Sequence, residues 1–203
     1  MVTVKPPFFF RFFDPEYLVC SMPGRDKEIF LTFDDGPVPE ITPEVLSILR
    51  VKKVKATFFC VGDNVRKHPD VYRSILADGH SVGNHTYNHV NGWITPPGSY
   101  YSNIKRCSEF VDSKLFRPPY GRFTPGQYFL LRKEYRFIMW SVLTGDFDRG
   151  TTPARCLENA IKHTDGGSIL VFHDSIKARD KVLFALPRVI DHFAELGFSF
   201  SGL

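Results

Sequence analysis

The segment EIFLTFDDGP, residues 28–37, joins a short apolar run to two adjacent carboxylates and a Gly-Pro turn. The run Glu28–Phe33 predicts a β-strand, and the Gly-Pro pair ends that strand and turns the chain sharply. Asp34 and Asp35 repel each other unless a cation offsets their charges, so their position at a strand end favours a metal site. A solvated turn without a ligand is the alternative.

Short apolar or aromatic runs recur downstream, and segments with helix signals separate them. We predict six further strands, at residues 56–61, 80–82, 114–116, 136–142, 168–172 and 198–200. We predict an exposed loop over residues 92–99 and three helices, which open at Thr42, run from Asn64 to Asp78, and run from Pro153 to near Gly166. This alternation predicts an α/β fold with a parallel sheet and crossover helices.

Polar side chains come where the predicted strands end. They follow the first, third, fourth, fifth and sixth strands: Asp34 and Asp35, His85 and His89, Arg117–Tyr120, Asp146, and His173. In a barrel the carboxyl ends of parallel strands meet at one face, whereas an open sheet spreads them along a line. We therefore predict a barrel-like architecture built from seven βα units.

The chain of 203 residues is 43% hydrophobic and 24% charged, which suits one domain with a sizeable core. We predict a single domain over residues 1–203, with its core over about 27–203, and a monomer. The 26 Lys and Arg residues are interspersed with 22 Asp and Glu residues, and the absence of a basic block disfavours a nucleic-acid partner. The four cysteines lack Cys-x-x-Cys spacing and are predicted to be free thiols.

No apolar stretch approaches the roughly 18 residues of a membrane-spanning helix, so we predict no membrane span. The N-terminal stretch MVTVKPPFFFRFF is not followed by the small-residue cleavage site of a secretion signal. These two observations predict a cytoplasmic location, with an extracellular or periplasmic location as the alternative.

His85 and His89 are four residues apart, so on a helical turn both imidazoles would project from one face and share a cation. Two imidazoles and one carboxylate leave a coordination position open for water, which is typical of a catalytic metal site. The second carboxylate would then be free to act as a general base. The spacing does not decide which aspartate has which role, and surface or capping histidines are the alternative interpretation.

Three further segments predict the rest of a hydrolytic site. In FRPPYG, two prolines stiffen the chain, so the Tyr120 backbone N–H can point at an oxyanion while Arg117 pairs with an aspartate. His173 ends the run SILVF and is a candidate acid for a departing nitrogen. Asp146 is its candidate partner, because a bonded carboxylate raises the pKa of an imidazole. A stiff turn and a structural histidine are the alternatives.

These motifs together resemble the polysaccharide deacetylases of the NodB-homology type, carbohydrate esterase family 4. The five family motifs occur in order between Thr32 and His173. The resemblance makes Asp34 the base, Arg117 its brace and His173 the acid oriented by Asp146. It also implies that Tyr120 offers its backbone N–H, and it implies three metal ligands: Asp35, His85 and His89.

The fourth and fifth motifs depart from the family pattern. Leu143 replaces the first aspartate of the fourth motif and Phe147 replaces its tryptophan, while the fifth motif has Ile169 and Val171 before the histidine. Phe147 keeps an apolar aromatic ring but lacks the indole N–H. The resemblance implies an apolar pocket for an acetyl methyl group, with four substrate-binding residues: Pro119, Tyr120, Phe147 and Val171.

The resemblance also implies a distorted (β/α)7 barrel and one divalent metal ion, foremost Zn²⁺, with Co²⁺, Ni²⁺ or Fe²⁺ as alternatives. The implied activity is removal of acetyl groups from N-acetylated, or alternatively O-acetylated, carbohydrate. The implied partner is an oligomer or glycan that contains N-acetylglucosamine.

Two other functions remain open from the sequence. One is a non-catalytic carbohydrate-binding module on the same scaffold, although Asp34 and His173 are both retained. The other is a metal-dependent amidohydrolase that acts on a non-sugar amide. Five aromatic residues are candidates either for sugar stacking or for simple packing: Tyr87, Trp93, Tyr100, Tyr101 and Phe147.

Overall fold

The structure is a computed structural model and describes residues 3–203. Nine strands occur in this range: β1 Leu18–Val19, β2 Glu28–Asp34, β3 Thr57–Cys60, β4 Ser81–Asn84, β5 Leu115–Phe116, β6 Arg136–Ile138, β7 Val142–Leu143, β8 Ile169–His173 and β9 Ser199–Phe200. Seven α-helices accompany them: α1 Thr42–Lys52, α2 Gly62–Lys67, α3 Pro69–Ala77, α4 Pro97–Cys107, α5 Pro125–Leu131, α6 Pro153–His163 and α7 Arg179–Glu195.

Eight of the strands form a parallel sheet in the order β1-β6-β5-β4-β3-β2-β8-β7, and β9 pairs with the start of β2. The sheet curls so that its first strand approaches β8. Ser21 forms a bridge with Ser168 there, and the Met22 N–H donates to the Gly167 carbonyl oxygen at 2.8 Å. The predicted α/β fold, a distorted (β/α)7 barrel, is therefore confirmed.

Strand β2 is buried on both faces, as its apolar sequence requires in a parallel sheet. Ile29, Leu31 and Phe33 belong to the cluster that packs under the helices. Phe30 belongs to a separate cluster with residues of β1, β3, β6 and β8 in the barrel interior. Since side chains alternate along a strand, Asp34 projects to the same side as Phe30 and reaches the mouth of the barrel.

The run predicted as one strand over residues 136–142 forms two strands. Strand β6 pairs with β1 and β5, whereas β7 pairs with β8. Between them the Met139 N–H donates to Val19 and the Ser141 N–H donates to Ile169. The chain changes partners within the run, which local hydrophobicity does not reveal.

The helix predicted from Asn64 to Asp78 is broken at His68. Pro69 has no N–H to donate and disfavours helical backbone at the preceding residue, so α3 starts anew at the proline.

Helix α4 begins at Pro97, inside the segment predicted as a loop. Helices α5 and α7 and strand β1 were not predicted, and β1 places a strand before the predicted core of about 27–203.

Two composition-based predictions can be compared with the structure. All four cysteines are free, and Cys60, Cys107 and Cys156 are buried, which confirms the prediction of free thiols. Within residues 3–203, no helix combines the length and apolar character that crossing a membrane requires.

The aromatic layer between the sheet and its helices provides a test of the core. Phe33 is fully buried and stacks between Phe58 and Phe172, at centroid distances of 4.9 and 6.0 Å. We expect Phe33→Ala to lower the free energy of unfolding by about 3–5 kcal/mol in denaturant titrations. The exposed Val51 provides the control, because Val51→Ala is expected to change it by less than about 0.5 kcal/mol. Equal effects of the two substitutions would contradict this packing.

Candidate active site

The ends of β2, β4 and β8, with the loops after β5 and β7, enclose a cavity of about 280 Å³. Seven of the predicted site residues line it: Asp34, Asp35, His85, His89, Tyr120, Phe147 and His173. The other lining residues are Pro118, Gly121, Arg122, Trp140, Leu143 and Lys177. Arg117 and Asp146 are buried, and each bonds a lining residue.

Asp35, His85 and His89 each offer one ligand atom, and the three atoms lie within 4.8 Å of one another. Asp35 Oδ1 is 3.1 Å from His89 Nε2 and 3.8 Å from His85 Nε2. His85 Nδ1 is 2.7 Å from the Arg117 carbonyl oxygen, which only accepts, so Nδ1 carries the proton and Nε2 has a free lone pair. This donor set fits a divalent ion with a position left open.

The protonation states of these ligands suit a metal. Burial disfavours the charged form of His85 and lowers the pKa of its imidazole from 6.5 to about 4. Burial also opposes the charge of Asp35, but the hydrogen bond from His89 and the nearby charged imidazole of His173 outweigh it. They hold the pKa of the Asp35 carboxyl well below its ordinary value. At neutral pH His85 is neutral and Asp35 is ionised, as metal ligation requires.

The two histidines lie on a loop and not on the helical turn that their spacing predicted. In the loop after β4, Thr86 and His89 have left-handed φ angles of 63° and 54°. The Thr86 N–H donates to the Asn84 side chain at 2.9 Å, and the Val90 N–H donates to the Thr86 hydroxyl at 3.1 Å. These bonds fold the loop, and the His85 and His89 rings come to a centroid distance of 5.1 Å.

Left-handed backbone is concentrated at the site. Of the five non-glycine residues with positive φ in residues 3–203, four lie in its loops: Asp35, Thr86, His89 and Tyr120. Such a conformation costs about 1–3 kcal/mol and persists only where its surroundings enforce it. The loops are therefore held in shapes that the isolated chain would avoid.

Arg117 ties Asp34 to the barrel interior. Its guanidinium is 1% exposed, and Nη1 donates to Asp34 Oδ1 at 2.7 Å and to Thr32 Oγ1 at 2.8 Å. Nε and Nη2 donate to the carbonyl oxygens of Ile138 and Met139, both at 2.9 Å. Four of its five N–H groups therefore have acceptors, and Asp34 is held in one orientation.

Asp174 fixes the turn after β2, although the sequence analysis did not select it. Its carboxylate accepts from the Gly36 N–H at 3.1 Å and from the Thr42 hydroxyl at 2.5 Å, and its own N–H donates to the Asp34 carbonyl oxygen at 3.1 Å. A Cβ at residue 36 would lie within 2.0 Å of this carboxylate, so glycine is required for the contact. The turn that separates the two aspartates is therefore anchored to β8.

His173 and Asp34 are register partners on the adjacent strands β8 and β2, so their side chains project on the same side. His173 Nδ1 is 2.8 Å from Asp146 Oδ1, and the His173 backbone N–H donates to Asp146 Oδ2 at 2.6 Å. Burial opposes the charge of the imidazole, but Asp146 outweighs it and raises the pKa of His173 to about 9. The ring is therefore a charged donor at neutral pH.

The predicted substrate-binding residues are only partly brought together. Tyr120 is 61% exposed and lines the cavity, and the Phe147 ring lies 5.1 Å from that of His173. Val171 is buried in β8 and does not line the cavity, and Pro118 lines it in place of Pro119.

Sequence reasoning missed three side chains that line the cavity: two cations and one tryptophan. Lys177 Nζ is 3.4 Å from Asp35 Oδ2, and Trp140 packs against Gly121. Arg122 is an exposed cation at the rim. Lys177 lies four residues after His173, and this proximity in sequence was the only available signal.

The Arg117–Asp34 pair provides a test of this arrangement. We expect Arg117→Met to lower the free energy of unfolding by about 3–5 kcal/mol, because it leaves a buried carboxylate unpaired. The double variant Asp34→Asn/Arg117→Met should lose less free energy of unfolding than the two single variants lose in sum. The exposed pair Arg155–Glu158 is the control, and Arg155→Met should cost less than about 1 kcal/mol. Additive losses at Arg117 and Asp34 would contradict the pairing.

The His173 titration provides a second test. In metal-free protein we expect its ring resonances to titrate near pH 9, and Asp146→Asn to move the midpoint downward. Because the folded-state pKa lies above 6.5, the pair stabilises the fold fully below about pH 6.5 and loses this effect as pH rises through about 9. Buried His80, whose pKa burial lowers to about 4, should titrate identically in both proteins. A His173 midpoint below 6.5 in the parent protein would refute the assignment.

Residues 21–133 match the family model described as polysaccharide deacetylase. The chain is 32% identical over 192 residues to a peptidoglycan-N-acetylglucosamine deacetylase of Bacillus cereus, with 91% of this chain and 90% of the relative covered. It is 31% identical over 202 residues to a chitooligosaccharide deacetylase of Azorhizobium caulinodans, with 88% and 94% covered.

Among solved structures, the fold is similar to a peptidoglycan N-acetylglucosamine deacetylase in complex with 4-naphthalen-1-yl-N-oxidanyl-benzamide. The TM-score is 0.90 at 30% identity, with 98% of this chain and 95% of that chain covered. The chain therefore belongs to the polysaccharide deacetylase family, carbohydrate esterase family 4, as its five motifs indicate.

Proposed function

We propose that this carbohydrate deacetylase hydrolyses the N-acetyl group of N-acetylglucosamine residues in a glycan, with one divalent ion held by Asp35, His85 and His89. The observation that carries the proposal is the separation of two adjacent carboxylates into two environments around one cavity. Asp35 faces the two imidazoles, whereas Asp34 faces the buried guanidinium of Arg117. The names of the two similar enzymes support a substrate that contains N-acetylglucosamine.

Zn²⁺ is the ion that this donor set favours, since two imidazoles and one carboxylate are usual at catalytic zinc sites. A divalent ion bound there supplies a Lewis acid that polarises a carbonyl and lowers the pKa of water. Co²⁺, Ni²⁺ and Fe²⁺ accept the same ligands and are the alternatives.

Asp34 is the general base in this proposal. Arg117 occupies its Oδ1, and no group within residues 3–203 donates a hydrogen bond to Oδ2. Oδ2 is therefore free to take the proton of the water that attacks the acetyl carbonyl. The guanidinium keeps the carboxylate fixed during this transfer and offsets its charge.

His173 is the acid that protonates the departing amine. Asp146 occupies its Nδ1, so the transferable proton is the one on Nε2. The carboxylate keeps the ring charged before the transfer and fixes its orientation. The acid and the base lie side by side on neighbouring strands and line the same cavity, so one bound acetamide group can face both.

Tyr120 provides the backbone N–H for the oxyanion in this proposal. Its φ angle of 61° and the two prolines before it fix the direction of that group. Phe147 lies beside His173, and Leu143 lines the same cavity, so both offer apolar surface to the acetyl methyl. The compartment, the oligomeric state and activity on O-acetyl groups stay predictions.

Acetate release from N-acetylglucosamine oligomers by zinc-loaded protein tests the proposal. We expect Asp34→Asn to retain about one bound metal per chain but to lose at least about 100-fold in kcat, the usual effect of removing a general base. His85→Ala should lose both metal and activity, since a ligand is removed. The matched control is Asp180→Asn, whose side chain is 89% exposed and which should leave kcat unchanged.

Each contrary result has a distinct meaning. Full activity in Asp34→Asn would refute the assigned base. No acetate release by the metal-loaded parent protein would refute the deacetylase and favour a carbohydrate-binding module, whereas release only from non-sugar amides would favour the amidohydrolase.

A further inference from the structure

We propose that Trp93 forms a second carbohydrate subsite, on which the pyranose ring of a neighbouring sugar stacks while the N-acetylated sugar occupies the cavity. This inference rests on the proposed function, because it extends the same glycan beyond the residue that is hydrolysed. The subsite consists of Trp93 and Arg122.

A continuous row of side chains leads from the metal site to Trp93. The His89 and Tyr120 rings form a T-shaped contact at a centroid distance of 4.8 Å. The Arg122 guanidinium carbon lies 5.8 Å from the Tyr120 ring and 4.7 Å from the Trp93 ring. Because Arg122 also lines the cavity, Trp93 lies just beyond the rim, where the next sugar of a chain would emerge.

The indole is accessible to a ligand. Trp93 is 58% exposed, although tryptophan is highly buried on average. Of the other candidate platforms, Phe147 lies beside His173 in the cavity itself, and the three tyrosines are less available. Tyr87 and Tyr100 are buried, and the Tyr101 hydroxyl donates to Glu134.

The loop that carries Trp93 is rigid, as a preformed binding surface requires. The buried Gln127 side chain donates to the carbonyl oxygens of Gly92 (2.9 Å) and Thr95 (3.1 Å). The Trp93 N–H donates to the Asn91 side chain at 3.0 Å, and the Thr95 hydroxyl donates to the Asn91 carbonyl oxygen at 2.7 Å. A buried amide therefore anchors an exposed tryptophan on both sides.

The chemistry of this surface suits a pyranose. The C–H face of a sugar ring is apolar and packs on an aromatic face, while its hydroxyl groups need hydrogen-bond partners. Arg122 covers one face of the indole, so the sugar stacks on the opposite face of this half-exposed ring, and no residue within 3–203 accepts a hydrogen bond from the guanidinium. Its N–H donors are therefore available to hydroxyl or amide oxygens of the stacked sugar.

Binding without turnover tests the subsite. The parent protein is metal-loaded Asp34→Asn, titrated calorimetrically with the N-acetylglucosamine monomer and tetramer. We expect Trp93→Ala to raise the Kd for the tetramer about tenfold, the loss of one stacked aromatic contact, and to leave the Kd for the monomer unchanged. Trp93→Phe should recover most of the affinity for the tetramer, because it restores an aromatic face.

The matched control is Ile94→Ala, which removes a more exposed apolar side chain (82%) from the same loop without touching the indole. It should leave both dissociation constants within about twofold, as expected for a surface substitution. An unchanged tetramer Kd in Trp93→Ala, an equal loss of monomer affinity, or no tetramer binding by the parent would overturn the subsite. Acetate release by the wild-type protein is scored separately, so failure of the deacetylase and failure of the subsite are distinct results.

Discussion

The buried ion pair between Arg117 and Asp34 is the interaction on which the rest of the site depends. The Arg117 guanidinium lies inside the barrel, 4.1 Å over the Phe59 ring, and its hydrogen bonds join β2 to the end of β6. The backbone carbonyl of Arg117 also sets the tautomer of His85. Such a pair adds little net stability compared with apolar packing, but removing one partner lowers the free energy of unfolding strongly. The role of the pair is to fix the positions of Asp34 and His85.

The two neighbouring aspartates differ because the backbone changes direction between them. Asp34 is the last residue of β2, and its side chain points to the barrel interior. Asp35 has a φ angle of 81° and turns toward the loop that carries His85 and His89. Asp174 holds Gly36 just beyond, so this turn cannot relax. One strand end thereby supplies two carboxylates with different partners and different proposed roles.

Local patterns predict the parallel strands and the residues that meet at their ends, because apolar runs and polar strand ends are encoded locally. They do not predict contacts made across the barrel. The partner change at Met139 and the anchor at Asp174 depend on distant segments. The histidine spacing predicted a helix, yet a loop with left-handed residues achieves the same convergence. Residue spacing alone does not decide which aspartate faces Arg117; the family resemblance implies Asp34, and the structure places Asp34 against the guanidinium.

Metal titration of stripped wild-type protein tests the central claim most directly. Acetate release from an N-acetylglucosamine oligomer is measured as zinc is added in steps. The account predicts activity that rises in proportion to bound zinc and reaches a plateau at one ion per chain, since Asp35, His85 and His89 form the one such cluster within residues 3–203. Full activity in the stripped protein, or a plateau that requires two ions, would contradict it.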